Sequence, residues 1–122
     1  MRISIAFLRM SSTGYHFKHN EKDKNSLSSD AIFSICQDTK GNIWVGTYGG
    51  GLNVVEGSFP NLKFTHYQNG LELYPKNKYL RVRSLLCTSA GIMLAGTTDG
   101  LLTFSTNADQ WEKIQFNLNQ CE

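Results

Sequence analysis

Gly46-Thr-Tyr-Gly-Gly-Gly-Leu52 has the glycine density of a loop that cradles phosphate. A phosphate-binding loop ends in Gly-Lys-Ser/Thr and opens a helix. Here Leu-Asn-Val-Val follows, which has strand character, so a turn between two strands is expected instead. His16 and His19 are three apart. On a strand an odd separation sends side chains to opposite faces, so the pair does not clamp a metal ion. His66 has no evident partner. Ser26, Ser28, Ser29 and Asp30 combine hydroxyls with a carboxylate, but no Gly-x-Ser-x-Gly elbow surrounds them and they read as loop residues. Asp38 opens an Asp-x-x-Gly turn, where its carboxylate is expected to bind the backbone amides of that turn rather than act as an acid. Trp44 has the flat face to stack on a sugar, yet its mid-strand place makes it a packing residue between neighbouring sheets. Cys36, Cys87 and Cys121 are odd in number and widely spaced, without Cys-x-x-Cys. Two small buried hydrophobes and one tail thiol are expected. No catalytic residue, metal ligand or cofactor follows from these stretches.

The elements that carry these residues recur. Residues 32–50 align with residues 82–100 at an offset of 50. Ser34 falls on Ser84, Gly41 on Gly91, Gly46 on Gly96, Thr47 on Thr97, Gly50 on Gly100 and Leu52 on Leu102. A short aromatic run follows each unit: residues 15–19, then 62–67, then 111–116. Within a unit the signals are β throughout: short apolar runs, turn residues 38–42, a β-branched and aromatic run at 43–47, and a glycine turn. No segment holds a sustained apolar stripe of helical period. Four short strands per unit of forty to fifty residues is the signature of a propeller blade. The expected fold is therefore all-β: about two four-stranded antiparallel blades plus a strand of a preceding blade. The boundaries are 1–24 for the end of that preceding blade and a linker, 25–67 and 68–116 for the complete blades, and 117–122 for a tail.

The chain has 122 residues, of which 18% are charged and 40% hydrophobic, an ordinary globular balance. Its net charge of +2, carried by scattered Lys and Arg, does not point to nucleic acid. Residues 1–10 imitate a signal peptide. The apolar run Ile3 to Leu8 is broken by Ser4 and closed by Arg9, and no small-residue cleavage site follows, so a strand remnant is expected. No run approaches the roughly 18 apolar residues of a membrane helix, so direct membrane insertion is not expected.

Residues Asn25-Ser-Leu-Ser-Ser29, Ile32-x-x-Ile35 and Gln37-Asp38-x-x-Gly41-Asn-Ile-Trp44-Val-Gly46-Thr47-x-x-Gly50-Gly51-Leu52 resemble the two-component regulator propeller repeat. The second unit resembles a weaker copy, with Thr88 opposite Asp38 and Leu94 opposite Trp44. The resemblance covers about residues 13–116. It implies a place in the periplasmic sensor region of a hybrid two-component system, recognition of a carbohydrate-derived ligand, and relay to a histidine kinase that this sequence does not contain. The chain itself is then not an enzyme. The alternative is a blade fragment of a propeller enzyme such as a lactonase or lyase, which needs a central metal or an acid–base set. Closed propellers have roughly four to eight blades. The expectation is thus of a fragment, from a truncated reading frame or excised from a longer protein. Its partners would be the remaining blades or a second copy of the chain, with an oligosaccharide as ligand.

Up-and-down connectivity puts the fourth-to-first connections and the second-to-third turns on one rim. That rim holds residues 25–30, 48–50, 76–81 and 98–99. Loops on a rigid scaffold are the usual seat of binding. Tyr48 and Tyr79 are expected to offer aromatic faces there, and Lys78, Arg81 and Asp99 charge. Asp38, Gly41, Trp44, Gly46, Thr47, Gly50, Gly91, Gly96, Thr97 and Gly100 are expected to build the repeat.

Overall fold

The computed structural model describes residues 18–58 and 61–120. These residues form two four-stranded antiparallel sheets. The first is β1 (Ile32–Gln37), β2 (Ile43–Thr47), β3 (Leu52–Ser58) and β4 (Asn61–Thr65). The second is β5 (Val82–Cys87), β6 (Ile92–Thr97), β7 (Gly100–Ser105) and β8 (Asn117–Gln120). In each, sequence order is spatial order. The sheets approach most closely at β1 and β5, their first strands, as blades do around a common axis. The only helical element among the described residues is a 3-10 turn, Trp111–Lys113.

The repeat is reproduced in the pairing of the first two strands. Ser34 pairs with Gly46 and Ser84 with Gly96, and each first strand carries a bulge, at Phe33 and at Arg83. Past the second strand the copies diverge by one residue. Leu52 pairs with Gly46, but it is Leu101 that pairs with Gly96. The first hairpin has three residues, 48–50, between the paired Thr47 and Gly51, one more than the two, Thr98 and Asp99, between Thr97 and Gly100. A shift of one residue exchanges the faces of a strand. Leu52 and Val54 therefore face the second blade, whereas Leu102 and Phe104 face the first. The sequence match of Leu52 with Leu102 does not carry over to their packing.

The core between the blades consists of Trp44, Leu52 and Val54 from the first, and Val82, Met93, Ala95, Leu102, Phe104 and Ile114 from the second. The connection between them adds Leu71, Tyr74 and Tyr79. Trp44 is fully buried, its ring 5.0 Å from Phe104 and edge-on to Trp111 at 5.6 Å. Gly46 permits the contact: a Cβ there would stand 2.8 Å from Val82 Cγ1 and 2.5 Å from Ser34 Oγ. The other face of the first blade is closed by the preceding connection, whose Leu27 is buried with Ile43, Val45 and Phe64.

Several expectations are corrected. Trp111 to Phe116 is not a strand, and the fourth strand of the second blade is Asn117–Gln120, in the stretch read as a tail. Trp111 and Ile114 would point to opposite faces of a strand. The 3-10 turn, at three residues per turn, brings both to the interblade core. Trp111 Nε1 also donates to Glu56 Oε1 of the first blade at 2.7 Å. Ile35 is 36% exposed: it pairs with Val45 on the first blade's other face but is not part of the cluster around Leu27, and Leu85 is half-buried. Leu94, opposite Trp44 in the repeat, is also half-buried, since no third blade is described against it. Val82, Leu102 and Phe104 belong to the inner face; the outer face of the second blade exposes Leu86, Ile92 and Leu101. The expected strand at 15–19 and Cys121 lie outside the described residues, except that Lys18 and His19 are not in a strand. Cys36 and Cys87 are half-buried, and burial pushes both thiols up.

Candidate functional site

Asp38 organises the first blade's lower turn. Its Oδ1 accepts the amides of Lys40 and Asn42, both at 2.9 Å. Its Oδ2 accepts Asn42 Nδ2 at 3.1 Å and Trp44 Nε1 at 2.9 Å. One carboxylate thus closes the turn and satisfies the indole of the interblade tryptophan. Gly41 sits in this turn at φ +90, and its counterpart Gly91 at +83, a conformation in which a Cβ is strained. In the second blade Thr88 keeps one such bond, from the Ile92 amide at 3.1 Å, and no tryptophan follows that needs a second. Asp38 and Trp44 are structural here, with Asp38 only 5% exposed.

At the opposite rim, Thr47 and Thr97 repeat one role. Each hydroxyl donates across its turn, to Gly51 O at 2.9 Å and to Gly100 O at 2.7 Å. The four rim segments expected to converge do so. The amides of Gly49 and Gly51 both donate to Leu80 O at 2.8 Å. Tyr48 pairs with Arg81 in a β-bridge, and Thr98 N donates to Arg81 O at 3.2 Å. Tyr48 N donates to Ala31 O at 2.8 Å. Gly50 has no positive φ; a Cβ on it would stand 2.7 Å from the Ser28 backbone carbon, so its role is close approach.

On this scaffold stands a group of exposed side chains. Phe33, thrust out by the β1 bulge, is 55% exposed and stacks on half-buried Tyr48 with ring centroids 4.9 Å apart and planes 20° from parallel. The Arg81 guanidinium lies 5.7 Å from the centre of the Tyr48 ring. Arg83, at the equivalent bulge of β5, is exposed, as is Lys78. The structure therefore brings Tyr48 and Arg81 together and adds Phe33, which was not among the residues expected at the rim. A bulge leaves no mark in the apolar pattern, and the aligned Arg83 was the one sign that this position faces water.

Tyr79 is corrected. It offers no aromatic face, being 1% exposed in the interblade core. It adopts φ +62, held by its amide donating to Asp99 Oδ2 at 2.9 Å and by the Tyr74 hydroxyl donating to its carbonyl. The Tyr79 hydroxyl itself is buried without a partner. Asp99 is thereby an anchor for the connection, with one carboxylate oxygen already engaged. A separate cleft of about 430 Å³ beside residues 18–26 is lined by His19, Asn20, Asp23 and Ser26 among others. Its polar groups hold that loop in shape: Ser26 Oγ donates to Asp23 O at 2.8 Å, and Asp23 Oδ1 accepts Asn25 N at 3.0 Å. Among the described residues no group of three or more His, Cys, Asp and Glu is placed to hold a metal ion. No helix of these residues is long and apolar enough to cross a membrane.

The fold and rim are those of two β-propeller blades. Residues 26–49, from the rim connection through β2 into the glycine hairpin, match the family model described as two component regulator propeller. That is the family whose repeat the sequence resembles. Comparison with curated proteins gives no match, and neither does comparison with solved structures.

Proposed function

We propose that this chain forms part of the ligand-sensing propeller of a two-component sensor, and that its rim binds a carbohydrate-derived ligand. The observation that carries this reading is the stacked Phe33–Tyr48 pair with Arg81 beside it, on the rim that the connections and hairpins share. An aromatic face toward solvent suits the apolar face of a sugar ring, and a guanidinium beside it suits ring hydroxyls or acidic substituents. The family match of residues 26–49 supports a regulatory role rather than a catalytic one. In this reading binding happens on the blades, relay to a histidine kinase follows elsewhere in the assembled sensor, and the site faces the periplasm.

The test is a thermal-shift survey of the chain with oligosaccharides released from several polysaccharides, repeated with Phe33→Ala and Tyr48→Ala. A ligand that raises the melting temperature of the chain, and of neither variant, supports the reading. A survey in which no saccharide shifts it, or in which the variants respond as the parent does, overturns it.

A further inference from the structure

Resting on that reading, the charge around the rim narrows the ligand. Lys76-Asn-Lys-Tyr-Leu-Arg-Val-Arg83 places four cations in eight residues with no acid among them. All four cationic side chains are exposed. The segment is pinned between the two hairpins through Leu80 O and the Tyr48–Arg81 bridge, so its cations are held at the rim rather than on a free loop. Two acids of the same rim each accept one backbone amide, Asp99 Oδ2 from Tyr79 at 2.9 Å and Asp30 Oδ1 from His19; both keep their charge, and the four cations outnumber them. Phe33 and Arg83 occupy the same bulge position on β1 and β5, the two strands at which the blades converge. The aromatic platform is thus bordered by cations on the side of the second blade.

We infer that the rim takes an anionic saccharide, one carrying carboxylate or sulfate groups, with a sugar ring against Phe33 and an acidic group paired to Arg81. Lys78 and Arg83 supply further positive charge along the chain of the glycan. Arg forms paired hydrogen bonds to carboxylate and sulfate, whereas a neutral sugar leaves a guanidinium with only hydroxyl oxygens to bind. A nucleic acid strand fits less well, because it calls for a basic groove that tracks its backbone, and these cations are confined to one short segment.

The experiment is calorimetric titration of the full chain with trigalacturonate, a sulfated chondroitin disaccharide, neutral cellotriose and a short single-stranded oligonucleotide. At least one of the two acidic sugars is expected to bind about ten-fold or more tightly than cellotriose. A response to trigalacturonate alone assigns a carboxylate, and one to the sulfated sugar alone assigns a sulfate. Arg81→Gln is expected to bring the acidic sugar down to the neutral level, with Arg81→Lys intermediate. Phe33→Ala is expected to weaken acidic and neutral sugars by a similar factor. Raising the salt concentration weakens the acidic sugar only, a measurement that needs no variant. Cellotriose binding as tightly as the acidic sugars, with sensitivity to Phe33→Ala, overturns the anionic assignment and leaves the carbohydrate reading standing. Acidic sugars that bind regardless of Arg81→Gln and Phe33→Ala overturn the site. Tighter binding of the oligonucleotide overturns the saccharide class, and binding of no probe overturns both readings.

Discussion

At the scale of single residues, the Asp38–Trp44 pair is the most consequential. Trp44 → Ala removes a wholly buried indole and is expected to cost roughly 3–5 kcal/mol. Asp38→Ala leaves two backbone amides and the indole without their acceptor and is expected to cost about 3 kcal/mol. Together, Asp38→Thr and Trp44→Leu recreate the pair found in the second blade. That double variant should lose clearly less than the sum of its single changes, because removing the indole removes a donor that needed the carboxylate. Urea denaturation of the four species measures this, and strict additivity would show that the two residues act independently. His66 provides a second case. It is 3% exposed, with Nδ1 accepting the Gln68 amide at 3.3 Å and Nε2 donating to Ser26 O at 3.1 Å, the arrangement of a neutral ring. Burial pushes its pKa below the ordinary 6.5, and the neighbouring His19 pushes the same way. Below pH 6.5 the unfolded chain takes up a proton that the folded ring resists, so stability is full above that pH and falls as the pH drops through the folded value. The urea midpoint should decrease from pH 7 to pH 5, and His66→Gln should flatten that decrease. The Asp-x-x-Gly turn chemistry was legible in the sequence. The bond to Trp44 was not, because the spacing of Asp38 and Trp44 says nothing about which way the indole turns.

At the scale of elements, hairpin length sets which sequence positions meet across a strand pair. Deleting Gly50 leaves two residues between Thr47 and Gly51, the number found between Thr97 and Gly100, so Leu52 keeps Gly46 as its partner and stays in the interblade core. The loss is then confined to the hairpin, where the Gly50 amide donates to Thr47 Oγ1 at 3.1 Å, and about 1 kcal/mol is expected, read as a slightly lower urea midpoint. A loss of about 3 kcal/mol or more would mean that β3 had slipped and that Leu52 and Val54 had left the core. The matched glycines made β1, β2, β5 and β6 legible to the residue, since turn chemistry and apolar pattern agree there. They misled beyond the second turn, where alignment by letters ran Leu52 onto Leu102 while the backbone paired Leu101. The segment 111–116 misled for another reason. Its aromatic content comes from spanning the gap between blades, and composition does not distinguish that from a strand.

At the scale of the molecule, the described residues leave one sheet face open. Leu86 is 62% exposed, Ile92 and Leu101 are each 38% exposed, and all three lie on the outer face of the second blade. The first blade shows the same kind of face covered, with Trp44 and Val54 packed against their neighbour. Self-association of the purified chain through this face is therefore expected. Sedimentation equilibrium over a wide concentration range measures it. Leu86→Lys should shift the chain toward monomer while changing its unfolding free energy by no more than about 0.5 kcal/mol, as for other exposed positions. A monomeric parent chain with cooperative unfolding would sink this expectation. The openness of a blade face was legible from the repeat count. The identity of its residues was not, because that depends on the register of β7.

The one-residue difference between the two hairpins also bears on how such chains are reused. A designer who averaged the two units by their letters, to build a consensus blade and string copies into a ring, would merge Leu52 with Leu102 and Val54 with Phe104. Those pairs point in opposite directions, so the averaged third strand would carry bulky groups on both sides and suit neither neighbour. The workable template averages Leu52 with Leu101 and accepts the two turns as distinct parts. Blades of one chain are then not spare parts for one another unless each is moved together with its own hairpin.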